Sequence, residues 1–126
     1  VEEGYLIDTN AIIDYLESKL PEKSNQLLDN TNFQLSVISR IELLAWPKAT
    51  DSQLKLLTDF INISHIFDFN EPVILKSIEI RKNYRVKLPD AIIAATAIVN
   101  KLTLITRNIS DFSKISDLKL LDPYRS

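Results

Sequence analysis

A chain of 126 residues suits one compact domain, and 45% hydrophobic residues are enough to bury a real core. It has no Cys, one Gly and one His, which excludes disulfides, thiolate metal sites, glycine-rich phosphate loops and zinc sites built from several histidines. The formal charge of -2 carries no overall basic signature, so a nucleic-acid partner would need a local patch.

Taken in chain order, strand-length apolar runs alternate with helix-length segments. Tyr5–Ile7 predicts a first strand, and Asn10–Lys19 a helix with Ala11, Ile12, Tyr15 and Leu16 inward, stopped by Pro21. Glu22–Asn30 is a short helix, and Gln34–Ile38 the second strand. "SRIELLAW" starts a helix that Pro47 closes, and Asp51–Asn62 follows with Asp51 as its N-cap. Ile63–Phe67 is the third strand and carries His65, whose imidazole is expected to pack at the strand surface. Glu71–Tyr84 has Pro72 in its first turn, and Pro89–Lys101 is apolar nearly all round, as a buried helix would be. Thr103–Thr106 and Leu118–Leu121 complete the strands. No apolar run reaches the roughly 18 residues that span a bilayer. Glu2 and Glu3 have the wrong charge for a secretory leader. A cytoplasmic protein without a membrane association is therefore expected.

Strands alternating with helices imply one α/β domain with a parallel sheet covered on both faces. Ligand sites in such sheets lie off the carboxyl ends of the strands. Four acids deserve weighing there, and each has a local explanation. Asp8 ends the first strand in "YLIDTNAII" and could cap the next helix. Glu42 completes S-x-x-E with Ser39, the capping-box pattern. Asp90 follows Pro89 in a first helical turn, where a negative charge favours the dipole. Asp111, in "LITRNISDF", or its neighbour Ser110 could cap a short helix. Three of the four follow a strand closely, and Asp90 begins the helix that leads back to the fourth strand. Four carboxylates in one crevice would repel one another unless a cation sat among them, and hard Mg²⁺ or Mn²⁺ takes oxygen ligands of this kind. Other acids read as solvated or as turn residues: Asp14, Glu17, Asp29, Asp59 and Glu79 within helices, Asp117 and Asp122 in turns.

Four blocks, "YLIDTNAIIDYL", "SVISRIELLA", "LPDAIIAATAI" and "LITRNISDF", resemble in order and spacing the PIN-domain ribonucleases, especially the VapC-type toxins of bacterial toxin–antitoxin systems. The resemblance covers nearly the whole chain and identifies residues 1–126 as one PIN-like domain. It implies a parallel five-stranded sheet of order 3-2-1-4-5 and a metal-dependent endoribonuclease site. Its acids fall on Asp8, Glu42, Asp90 and Asp111, as catalytic residues and metal ligands. Its supporting polar positions fall on Thr9, Asn10, Thr106 and Asn108. It further implies an RNA substrate, a small antitoxin partner and a homodimer.

An acidic pocket repels RNA, so cations must bring the substrate in. "RKNYRVK" places Arg81, Lys82, Arg85 and Lys87 around Tyr84, just before Asp90, where they could hold phosphates and stack a base. The same residues could equally form a solvated helix C-terminus favoured by its dipole. Arg40 and Arg107 are further substrate-binding positions. Leu43, Leu44 and Trp46 could supply an apolar partner surface, although Trp46 before Pro47 also reads as a packing residue. Two other classes remain open. A receiver-type Mg²⁺-binding signalling domain would want paired acids after its first strand, where "LIDTN" supplies one; an aspartyl phosphatase would want D-x-D, where Asn10 stands. A non-catalytic PIN scaffold that only binds RNA or protein is the third alternative.

Overall fold

The computed structural model describes residues 4–125. Glu2 and Glu3, on which the reading of a leader rests, lie outside them. The elements run β1 (Tyr5–Ile7), α1 (Thr9–Leu16), α2 (Glu22–Asp29), β2 (Gln34–Ser36), α3 (Val37–Leu44), α4 (Asp51–Asn62), β3 (His65–Phe67), α5 (Glu71–Asn83), α6 (Leu88–Val99), β4 (Thr103–Ile105), α7 (Ile109–Phe112) and β5 (Leu120–Leu121).

All strand pairs are parallel. β1 and β4 set Leu6 opposite Leu104 and Ile7 opposite Ile105. Successive side chains of a strand point to opposite faces, and the core divides accordingly. Leu6 and Leu104 pack with Val73, Ile80 and Ile93 of α5 and α6. Ile7 and Ile105 pack with Ile12, Leu43 and Phe60 of α1, α3 and α4. A sheet buried on both faces explains why these strands read as unbroken apolar runs. Helix α6 is buried from Ala91 to Ala97, and its small side chains let it lie close to its neighbours.

The expected five-stranded sheet is not formed as one ladder. There are two, a three-stranded β1-β4-β5 and a two-stranded β2-β3. β1 and β2 still run in contact, but the Gln34 side-chain amide donates to Tyr5 O at 3.2 Å, occupying an acceptor that a ladder would use. Gly4 gives that amide room, since a Cβ there would meet Gln34 Nε2 at 2.7 Å. Strands of three residues have few bonds to lose, so one such exchange interrupts the pairing.

Local capping shifts several boundaries. Strand β2 stops at Ser36 rather than Ile38, because Ser36 Oγ accepts from Ile38 N and caps α3. Val37 and Ile38 therefore turn helical, and the expected Ser39–Glu42 capping box is not made. Helix α4 has the expected bounds, but its cap is Thr50, in a reciprocal box with Gln53, and not Asp51. β3 begins two residues late at His65, because Ile63 closes α4. His65 is exposed and meets Phe67 edge-on at 4.5 Å, in keeping with a packing role. Thr106 falls just past β4, and β5 is shortened to Leu120–Leu121. Among the described residues, no helix is long and apolar enough to cross a membrane.

Candidate active site at the strand ends

Asp8 is delivered by β1 and at once caps α1, its Oδ1 accepting from Thr9 N at 2.8 Å. The cap reading and the strand-end reading are thus both realised in one residue. Oδ2 accepts from Thr106 Oγ1 at 2.8 Å and from Asn10 Nδ2 at 3.2 Å. Asp8 N donates to Ile105 O at 2.9 Å, so the parallel pairing runs on into the site. Only 4% of Asp8 is exposed. Burial pushes its carboxyl up to about 6; bonds from Thr106 and Thr9 oppose this, and the charges of Asp90 and Glu42 add to it.

Glu42 projects from the middle of α3 and is exposed. With no cap to serve, its Oε1 accepts from Thr9 Oγ1 at 2.6 Å. Thr9 Oγ1 also lies 3.0 Å from the hydroxyl of Ser39, which is fully buried. Asp90 lies half-buried in the first turn of α6, after Pro89. Burial raises its carboxyl, the charges of Asp111 and Glu42 raise it further, and Lys87 draws it back. Asp111 is exposed in the first turn of the four-residue α7, which has no side-chain cap bond, so neither it nor Ser110 is a cap.

Their charges link the four acids pairwise. Asp8 feels Asp90 and Glu42; Asp90 feels Glu42 and Asp111. Among the described residues, however, no three acids or histidines converge tightly enough to cage an ion. Mg²⁺ does not require such a cage, because it keeps several waters and binds through one or two carboxylates plus substrate phosphates. The donor set is all oxygen, as a hard cation prefers.

The polar and basic positions expected around the acids are held in different ways. Thr106 is fully buried; its hydroxyl donates to Asp8 and accepts from Asn108 N at 3.0 Å. Asn108 contributes its backbone here and leaves its side chain exposed. Asn10 links Asp8 to the backbone N of Arg107, which donates to Asn10 Oδ1 at 3.1 Å. Arg81, Lys82, Arg85 and Lys87 are all exposed. Arg81, Arg85 and Lys87 line an open groove of about 430 Å³ with Tyr84 and Val86. The groove is held in shape by Arg81 Nη1 donating to Val86 O and Lys114 Nζ donating to Arg85 O, at 2.8 and 2.7 Å. Arg40, on α3, borders a separate shallow groove with Val37, Ile41, Leu44 and Ala45.

Two expectations need correcting. Asp14 is not solvated; it is 3% exposed and accepts from Arg107 Nη1 at 3.0 Å and from Tyr124 Oη at 2.8 Å. Arg107 is the partner that pairs with it, through Nη1, while about half of the arginine side chain stays exposed. Leu43 is core, and Trp46 packs against the same cluster, so the exposed apolar face of α3 consists of Ile41 and Leu44. Ser39 and Tyr124 are the contributors that sequence reasoning missed. Ser39 was visible only as a supposed cap, and nothing around Tyr124 distinguishes it locally.

The model of the PIN domain family matches residues 5–118. The chain is 28% identical over 132 residues to ribonuclease VapC1 of Haemophilus influenzae, spanning 94% of this chain and 96% of that protein. Among solved structures, it is 30% identical to a chain of a toxin–antitoxin complex from Klebsiella pneumoniae, with a TM-score of 0.78, covering 98% of this chain and 100% of the other. A chain of VapBC2 from Rickettsia felis, bound to a DNA fragment from its promoter, is 26% identical with a TM-score of 0.77, covering 93% and 96%. With the family's model matched over nearly all of the described residues, the chain belongs to the PIN-domain family.

Proposed function

We propose that this protein is the toxin of a toxin–antitoxin pair, an endoribonuclease that hydrolyses RNA phosphodiester bonds with Mg²⁺ or Mn²⁺. The observation that carries the reading is Asp8: a carboxylate buried at a strand end, facing the charges of Asp90 and Glu42, with its orientation set by three protein donors. Burying like charges together is costly, and a cation removes the cost. Similarity to a ribonuclease and to chains of toxin–antitoxin complexes supports the same reading.

Asp8 and Asp90 would hold the ion, with Glu42 and Asp111 available to a second ion or to its waters. When bound, the ion supplies a Lewis acid for the phosphate and lowers the pKa of the attacking water. Thr106 and the Thr9 amide fix which Asp8 lone pairs face the ion, and Thr9 Oγ1 holds Glu42 toward the same space. Lys82, Arg85 and Lys87 would meet RNA phosphates beside the start of α6, offsetting the repulsion of the acids. An antitoxin would cover this crevice and use the exposed Ile41 and Leu44 of α3 as its apolar footing.

The test is a cleavage assay on defined RNAs with purified protein, with Mg²⁺ or Mn²⁺ and with chelator, for the parent, Asp8→Asn and Asp90→Asn. Metal-dependent cutting by the parent, lost in both variants, is expected. Equal cutting by all three would place the chemistry elsewhere.

A further inference from the structure

Asp14 is a buried carboxylate that the reaction above does not use. A charge so far out of water is strongly destabilising unless it is paired and hydrogen-bonded. Its pairing is long-range. Arg107 Nη1 reaches Asp14 Oδ2 at 3.0 Å and Oδ1 at 3.3 Å, and Tyr124 Oη adds a bond at 2.8 Å. Tyr124 is carried by a segment that is itself anchored: Pro123 is buried, its carbonyl accepts from the Ser24 hydroxyl, and Tyr124 N donates to Asp122 Oδ1.

The position of this pair matters more than its strength. Asn10 and Asp14 stand one turn apart on the same face of α1, and Arg107 grips both. Its guanidinium takes Asp14, and its backbone N takes Asn10 Oδ1. Asn10 in turn donates to Asp8 Oδ2. The other bond to Asp8 Oδ2 comes from Thr106, the residue before Arg107, whose hydroxyl is also held by Asn108 N. Both donors on that oxygen therefore depend on how residues 106–108 sit against α1.

We propose that Asp14 and Arg107 are a positioning pair. They clamp the 106–108 turn to α1, and thereby set the direction of Asp8 Oδ2 and the place of α7, which bears Asp111. Arg107 then acts through Asp14 and not as a phosphate contact. For its catalytic consequence this rests on the ribonuclease reading above; for its structural consequence it does not.

The experiment compares Asp14→Asn, Arg107→Gln, the double variant, Arg107→Lys and Tyr124→Phe. On RNA, a clamp predicts kcat lowered about ten- to a hundredfold in either single variant with KM unchanged. The double variant should be no worse than the singles, because one interaction is removed once. Arg107→Lys should recover part of the loss and Tyr124→Phe should lose least. The salt dependence of RNA binding should stay at the parent's slope. A phosphate contact would instead raise KM in Arg107→Gln alone and flatten that slope by about one phosphate's share. That result overturns the proposal. So does a lowered melting temperature with kcat and KM at parent values, the mark of a pair that merely staples the fold. Amide hydrogen exchange supplies a readout without RNA. Both single variants should speed exchange at Asn108 N while leaving Leu104 N, bonded to Lys119 O in the sheet, as in the parent. Unchanged exchange at Asn108 contradicts the clamp. If the parent cuts no RNA, the ribonuclease reading fails and the exchange result alone decides the clamp.

Discussion

Asp8 and Asp111 belong to the same set of acids, yet the protein holds them very differently. Asp8 stands at the end of a buried strand, receives bonds from Thr9, Asn10 and Thr106, and is almost wholly out of water. Asp111 is itself exposed, on a four-residue helix that has no side-chain cap and is anchored in the core by Phe112, and the rest of the set feels it through its charge on Asp90. One acid is fixed in direction before any ligand arrives; the other can follow what binds. A site built this way has a rigid wall and a compliant one. That suits an ion that keeps much of its water and a substrate that arrives as a flexible strand.

The largest effect should come from the rigid wall. Asp8→Asn is expected to reduce RNA cleavage to background, whereas Asp111→Asn should cost about tenfold, the scale of a group that tunes a site from outside it. Steady-state rates on one RNA suffice to compare them. Equal losses would mean that Asp111 is as fixed in the working state as Asp8, and the contrast would fail.

The same burial makes Asp8 a stability sensor. Its carboxyl is raised in the folded protein from 3.8 to about 6, so between those values the folded protein keeps a proton that the unfolded chain has lost. Stability from this group is therefore greatest below the lower value and is lost as pH rises through the upper one, by about 3 kcal/mol in all. Denaturant midpoints of the metal-free parent should fall relative to Asp8→Asn from about pH 4 to about pH 7. Parallel curves would show that Asp8 is ionised in the folded protein as easily as in the unfolded chain.

Glu42 and Ser36 separate site from scaffold on one helix. Ser36 caps α3, so Ser36→Ala should cost about 1 kcal/mol of stability with cleavage kept. Glu42 caps nothing, so Glu42→Gln should lower cleavage at unchanged stability. The reverse pattern would restore Glu42 to a capping role.

How far the sequence foretold this molecule depends on the range of the interaction involved. Helix α4 was legible to the residue, since its periodicity is local, although its cap proved to be Thr50. The start of α3 was not. Val37 and Ile38 are β-branched and read as strand, whereas the Ser36 side chain, accepting from Ile38 N, caps a helix that starts there. The break between β1 and β2 hangs on one side-chain amide, Gln34 on Tyr5 O, which no pattern of period 2 announces. At the site, strand ends and helix starts are local signals that single out the acids one by one, but their grouping, and the place of Thr106 beside them, follow only from the resemblance to the PIN-domain family. Asp14 reads as solvated because Asn10, Glu17 and Ser18, about one helical turn away on its face, are polar. What buries it is Arg107 and Tyr124, which lie 93 and 110 residues away.

The central claim is that Asp8, Asp90 and their companions form a cation site rather than a set of caps and first-turn charges. Thermal melts of the parent and of Asp90→Asn, each with chelator and with Mn²⁺, test it most directly. A cation that binds the folded protein alone should stabilise the parent by about 2.7 kcal/mol at a hundredfold excess over its dissociation constant. Asp90→Asn removes a charge that the fold holds against Asp111 and Glu42, so without metal it should melt at or above the parent, and it should gain less from Mn²⁺. A variant that melts slightly below the parent, with Mn²⁺ changing neither protein, would contradict the account.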